Sequence, residues 1–151
     1  MGNVKTAEMG LVVAVCISSS KGERKTPVPV AELIENHGLK GDAHAGEWHR
    51  QVSLLAEESI DKMRQAGLNL KSGDFAENIT TRGIALTSLP VGTKIAIGDA
   101  IVEVTQIGKE CHTRCAIFYQ AGDCVMPREG IFAKVLQGGK VEAGDRVEVL
   151  Q

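Results

Sequence analysis

Reactive side chains concentrate in Gly108-Lys-Glu-Cys-His-Thr-Arg-Cys115, with Cys124 nine residues beyond. A thiol beside His112, Lys109 and Arg114 sits among groups that favour the thiolate, the form that attacks sulfur or binds metal. Cys111, flanked by charge in a predicted loop, is the candidate for that role. Cys115 and Cys124 read more readily as small buried hydrophobes, because free cysteine is among the most buried residue types. Zinc is a rival use, but Cys-x3-Cys with one adjacent His lacks the paired Cys-x2-Cys knuckles of structural zinc sites. No ferredoxin-type spacing is present either.

Two further groups of polar residues lie upstream. Between Gly38 and Gln51, Gly41 and Gly46 free the backbone while Asp42, His44, His49 and Arg50 place four ionisable groups within nine residues. Exposed N–H groups beside a guanidinium suit an anion such as phosphate. The plainer alternative is a polar loop in which Asp42 caps a turn. From Gly73 to Gly83, Asp74, Glu77, Asn78 and Arg82 again surround glycines. Asn78 and Arg82 could hydrogen-bond a polar heterocycle or its phosphate, whereas most of these positions fit a loop whose Asp and Asn satisfy local backbone. No phosphate-binding Gly-x-x-x-x-Gly-Lys-Ser/Thr, His-Glu-x-x-His or Gly-x-Ser-x-Gly occurs, which removes the main support for the common nucleotidase, metalloprotease and hydrolase readings.

The elements that must position these groups are mostly strands. Leu11 to Ile17 is a short apolar run ended by serines, a buried strand followed by a loop. Lys21 to Lys25 reads as an exposed charged turn. Pro27 and Pro29 confine any strand there to an edge or to a start after Pro29. Residues 57–66 form one clear short helix: Ile60 and Met63 share a face, acids open it, Lys62 and Arg64 lie near its end, and Gly67 can end it with a positive φ. Lys94 to Ile97, Gly98-Asp99 and Ala100 to Ile107 read as a hairpin with Gly first in a two-residue turn. Lys140 to Val149 repeats the Gly-Asp pattern, which common turn chemistry explains better than a true repeat. Parallel strand–helix–strand units are absent from the pattern. The fold class is therefore mainly β, a β-barrel with few other helical turns.

Length and composition bound the rest. A chain of 151 residues buries enough surface to fold without disulfides or metal. Its core must be aliphatic, with only three Phe, one Tyr and one Trp. Seventeen Lys and Arg against nineteen Asp and Glu give a net charge of −2, with the signs interspersed. Neither a basic patch nor a stacking platform for nucleic acid is present. No apolar run approaches the ~20 residues of a membrane span. Without a signal-type leader the protein reads as cytoplasmic, and its four cysteines as free thiols rather than a disulfide framework.

Taken in order, Gly41-Asp42-x-His44-x-Gly46-x3-Arg50, then Gly73-Asp-Phe-x-Glu77-Asn78, then Cys111 after a strand, resemble the MOSC domain, named for the C-terminal domain of molybdenum cofactor sulfurases. The resemblance spans roughly Leu11 to Leu150. It implies an N-terminal extension over 1–9 and a single barrel domain over 10–151. It also implies that Cys111 accepts sulfane sulfur as a persulfide or ligates molybdenum. Asp42, His44, Arg50, Asn78, Arg82 and Arg114 would then bind the molybdenum cofactor (molybdopterin), the arginines holding its phosphate. The larger sulfurases carry a separate desulfurase domain with pyridoxal phosphate, for which this chain has no room. Pyridoxal phosphate chemistry would therefore come from a partner cysteine desulfurase, and a molybdoenzyme or cofactor would be the acceptor. As an enzyme the protein would be a sulfur transferase. The alternative is a noncatalytic carrier of zinc, copper or cofactor on Cys111, Cys115 and Cys124, soft ligands that need no general base. A barrel-shaped interaction module with buried cysteines is the third reading.

Overall fold

A computed structural model describes residues 9–21, 23–65, 67, 69–108 and 129–150. In chain order the strands are β1 (Met9–Ile17), β2 (Thr26–Val28), β3 (Ala31–Ile34), β4 (Gly38–Leu39) and β5 (Val52–Ala56), followed by helix α1 (Glu57–Arg64) and β6 (Ile79–Arg82). After a 3-10 turn at Leu86–Ser88 come β7 (Lys94–Ile97), β8 (Ala100–Ile107), β9 (Ile131–Gln137), β10 (Gly139–Val141) and β11 (Arg146–Val149). The order β11-β7-β8-β9-β5-β6-β1, together with pairing of β11 to β1, closes a seven-strand barrel. Closure leaves none of those seven as a free edge. β2 pairs with the far end of β1 alone, and Pro27, which has no N–H to donate, lies on that edge as expected. A small sheet in the order β10-β3-β4 adds Ala31, Leu33, Leu39 and Val141 to the same core.

Alternation makes the wall. Along β8, Ala100, Val102 and Val104 are buried while Ile101, Glu103 and Thr105 are partly exposed, the period of two expected of a sheet with one face inward. β7 and β8 form the predicted hairpin around Gly98, whose φ is +54. The similar stretch near the C-terminus behaves differently: β10 joins the small sheet while β11 pairs with β7 and β1, so the two Gly-Asp patterns are not a structural repeat. Gly144, with φ +94, turns the chain between them.

Helix α1 carries acids in its first turn and Lys62 and Arg64 in its last, and Gly67 takes a positive φ of +94. Ile60 is fully buried in a second cluster with Leu55, Leu70, Phe75 and Phe132, packed outside the barrel. Burying such a side chain contributes roughly 1.5–3 kcal/mol.

Two expectations need correction. β5, α1 and β6 do form a parallel unit, with Leu54 opposite Ile79 and Ala56 opposite Thr81. It escapes periodicity because β6, Ile-Thr-Thr-Arg, has one aliphatic residue and follows a long polar connection. The turn from Lys21 is not exposed throughout, for Lys25 is 3% exposed. Among the described residues no helix is long and apolar enough to cross a membrane.

Candidate functional site

The β1–β2 register pairs Ile17 with Thr26, so Lys25 lands beside Ser18. The loop after β4 brings Asp42 to the same place. The Asp42 side chain is fully buried and accepts hydrogen bonds from Lys25 Nζ (2.8 Å), Ser18 N–H (3.1 Å) and His44 N–H (3.1 Å). The last bond is a turn in which the carboxylate serves its own backbone two residues on, helped by the positive φ of Gly41, +83. Burial pushes the Asp42 carboxyl up, but the Lys25 ammonium and the two N–H groups outweigh it, and its pKa lies below the ordinary value.

His44 Nδ1 lies 3.0 Å from Lys25 Nζ. Trp48 runs parallel to the His44 ring at 6.4 Å, donates its indole N–H to the His44 carbonyl (2.7 Å), and lies beneath Lys21 Nζ at 4.8 Å. The loop then docks on the end of β8. Thr105 Oγ1 donates to the His49 carbonyl, Arg50 Nε donates to Gln106 Oε1 (3.2 Å), and His49 Nε2 lies 3.0 Å from the same oxygen. The Arg50 guanidinium sits over the Phe132 ring at 5.2 Å. No carboxylate among the described residues pairs with it. Asp42, His44 and Arg50 are thus held on one loop tied to β8, the strand that precedes Cys111 in sequence.

Asn78 and Arg82 lie elsewhere. Asn78 is fully buried. Its Oδ1 accepts from Ser53 N–H (3.0 Å) and Ser53 Oγ (3.1 Å), and its Nδ2 donates to the Cys16 carbonyl (3.1 Å), so its amide laces β5 to β1. Arg82 is exposed and pairs with Glu57 (2.6 Å) and Asp61 (3.4 Å) of α1. It stands opposite Leu11, whereas Asp42 is held by Ser18, roughly 20 Å further along β1 at the usual rise per residue. The structure does not bring Arg82 to the Asp42 loop, and Asn78, although it bonds Cys16 two residues from Ser18, spends its side-chain hydrogen bonds on the barrel wall.

Glu77 is also fully buried, and burial raises its pKa against the opposing bonds from Gly73 N–H (2.8 Å), Thr80 Oγ1 (2.8 Å) and Phe75 N–H (3.2 Å). Gly73 does not clear a pocket. A Cβ there would lie 2.2 Å from the Lys25 carbonyl oxygen, so this glycine lets the Lys25 strand pass. Cys16 is buried, with its thiol pushed up to about 12, chiefly by burial, which suits a core residue. Cys111, Cys115, Cys124, Lys109, His112 and Arg114 lie outside the described residues. Among the described residues no group of three His, Cys, Asp or Glu side chains could hold a metal ion. Lys25 and Ser18 are the members of the site that residue patterns missed.

A closed seven-strand barrel with a parallel crossover and a small side sheet is the architecture. The MOSC domain family model matches residues 41–148, more than half of the chain, and the protein belongs to that family. Solved structures of the same fold include the YUAD protein of Bacillus subtilis (TM-score 0.75, 19% identical, 93% of this chain and 95% of that one) and YiiM of Geobacillus stearothermophilus (TM-score 0.72, 20% identical, 95% and 75%). YiiM of Escherichia coli is similar too (TM-score 0.67, 22% identical, 95% and 70%). At these identities the likeness is one of fold. None of the curated proteins is a significant sequence match to the chain.

Proposed function

We propose that the protein handles the molybdenum cofactor, with Cys111 accepting sulfane sulfur as a persulfide or ligating molybdenum. Membership of the MOSC family, over a match that runs from Gly41 past Cys111, is the observation that carries this reading. When bound, the cofactor supplies an anionic pterin phosphate and a metal able to take a sulfur ligand. The described donors fit such a group in one place: Arg50 is half-buried, oriented by Gln106 and Phe132, and has no carboxylate partner among the described residues. Arg50 and His44 would hold it, with Arg114 as a further candidate from the sequence. Arg82 fits poorly because Glu57 and Asp61 already neutralise it.

The sulfur step is thiol exchange. The Cys111 thiolate attacks the terminal sulfur of a donor persulfide on a cysteine desulfurase, the donor S–S bond breaks as the new one forms, and the donor cysteine leaves as thiolate. No net oxidation occurs, and the persulfide on Cys111 is then presented to the acceptor.

Mass spectrometry after incubation with a cysteine desulfurase and cysteine tests the reading. One added sulfur on Cys111, lost in Cys111→Ser, is expected; equal loading of the variant overturns the persulfide role. Native mass spectrometry of the purified protein reads bound pterin directly. Removing a charge-assisted contact of about 1.5–3 kcal/mol, Arg50→Ala should weaken cofactor binding roughly tenfold to hundredfold, and Arg82→Ala should leave it unchanged.

A further inference from the structure

Along β8, Ala100, Val102 and Val104 face the barrel interior, so unbroken alternation would send Gln106 there too. The ladder with β9 prevents it. Val104 pairs with Ala133 and Gln106 with Phe132, which leaves Thr105 as an extra residue and marks a β-bulge. Residues directly opposite on paired strands point to the same side. Ala133 belongs to the main core, whereas Phe132 belongs to the cluster packed outside the barrel. The bulge therefore turns Gln106 onto the outer face beside Thr105, and these two consecutive side chains both hold the Gly41 to Arg50 loop. Thr105 Oγ1 donates to the His49 carbonyl, and Gln106 Oε1 accepts from Arg50 Nε.

The partners decide which way the Gln106 amide lies, since an arginine can only donate and a backbone carbonyl can only accept. Arg50 Nε faces the amide oxygen at 3.2 Å, while the amide nitrogen donates to the Gly108 carbonyl at 2.7 Å. A flipped amide would set donor against donor and acceptor against acceptor. His49 Nε2, 3.0 Å from the same oxygen, is then a donor as well. Gly108 is itself anchored, its N–H donating to the Gly130 carbonyl (2.7 Å). Held through Nε and lying over Phe132, the Arg50 guanidinium keeps its two terminal nitrogens without a hydrogen-bond partner among the described residues.

We infer that Gln106 is a positioning residue, aimed by the β8 bulge so that Arg50 presents its two terminal NH2 groups as a fork for a phosphate-like anion. The same amide ties that fork to Gly108, three residues before Cys111 in sequence. Identifying the anion with the cofactor phosphate rests on the reading above; the orientation of Arg50 does not.

Arginine 1H–15N spectra at pH 6.5, with inorganic phosphate as the probe, test this; the Arg50 Nε–H signal is the one absent from Arg50→Ala. In the wild type that proton should exchange slowly with solvent, and phosphate should shift the Arg50 signals. A fast-exchanging Nε–H, or signals that phosphate leaves in place, overturns the inference without any variant at Gln106. Gln106→Met removes the acceptor at similar volume. It should release the Nε–H to exchange and weaken phosphate binding roughly tenfold, the order of one hydrogen bond to a charged group. Gln106→Glu keeps an acceptor but adds a negative charge, so the Nε–H should stay protected while phosphate binding still falls. A glutamine that only packed the strand end would not separate these two readouts. Wild-type protection or affinity in folded Gln106→Met, or lost protection in Gln106→Glu, overturns the positioning role. Absence of bound pterin in native mass spectra, beside an Arg50 that answers to phosphate and to Gln106, would count against the cofactor reading alone.

Discussion

The segments 41–50 and 73–83 look alike in sequence, each with glycines, a buried carboxylate and an arginine, yet they serve opposite ends. In the first, the Asp42 carboxylate meets a lysine, and the side chains that follow it, His44, Trp48, His49 and Arg50, stay partly exposed. In the second, Glu77, Asn78 and Thr80 all turn into the protein and bond the barrel's own backbone and hydroxyls, while Arg82 pairs with α1. Residue type alone does not separate a ligand-facing loop from a structural one. What separates them is whether the polar groups still have unmet capacity once the strands are paired.

The sharpest test of that contrast sets Asp42→Asn against Glu77→Gln. Asparagine leaves Lys25 as a buried, uncompensated charge, and removing one partner of such a pair costs about 3–5 kcal/mol. Glu77 faces no cation among its hydrogen-bond partners; glutamine removes a buried charge but turns an amide NH2 toward one of the donors that the carboxylate accepts from, so it should cost about 1–3 kcal/mol, less than Asp42→Asn. The pH dependences should have opposite sign. The Asp42 pKa is lowered, so its contribution to stability is present above pH 3.8 and is lost as acid carries the pH through the lower folded value. The Glu77 pKa is raised, so its contribution is present below pH 4.5 and is lost as the pH rises through the folded value. Urea denaturation from pH 3 to pH 8 should show the Asp42→Asn deficit shrinking in acid and Glu77→Gln gaining on the wild type as the pH rises. The same trend in both variants would break the comparison.

The glycines give a smaller and purely steric contrast. At Gly73 the positive φ of +91 and the Lys25 carbonyl 2.2 Å from a new Cβ act together, and because the obstacle is backbone it cannot swing aside. Gly41 has a similar φ, +83, but its nearest neighbour would be an Ile17 methyl at 3.9 Å. Gly41→Ala should therefore cost about 1–2 kcal/mol, the left-handed strain alone, and Gly73→Ala clearly more. Thermal unfolding of the two variants checks the order, and equal losses would mean that the Lys25 strand can shift.

How much of this was legible in the sequence follows from the same physics. The barrel class, the α1 helix and the β7–β8 hairpin rest on local alternation, a helical face and turn glycines, which read directly. The parallel β5–β6 pair was hidden because its second strand is polar and distant. Asp42, His44 and Arg50 stand out by type and spacing and do share one loop. Asn78 and Arg82 stand out by the same logic, but strand register turns Asn78 into the wall and places Arg82 beside Glu57 and Asp61 of the helix. Lys25 had no visible mark. Preceded by Glu23 and Arg24, it resembles any solvated charge, and its burial is set by a carboxylate seventeen residues further on. A buried cation shows itself only through its partner.

One group in the structural segment breaks the pattern. Thr81 is fully buried, and its hydroxyl has no hydrogen-bond partner among the described residues. It lies on the same face of β6 as Ile79, a member of the main core, since residues two apart along a strand point the same way. An unpaired buried hydroxyl loses its hydration without compensation, and a methyl in its place loses nothing. Thr81→Val, which also suits a strand by its branching, should therefore raise stability by about 1 kcal/mol and leave sulfur loading of Cys111 unchanged. If 73–83 is structural throughout, both results hold. A variant that folds as well as the wild type but fails to load sulfur would show that the hydroxyl is kept for a ligand, and would move this segment to the same side of the comparison as Asp42 and His44.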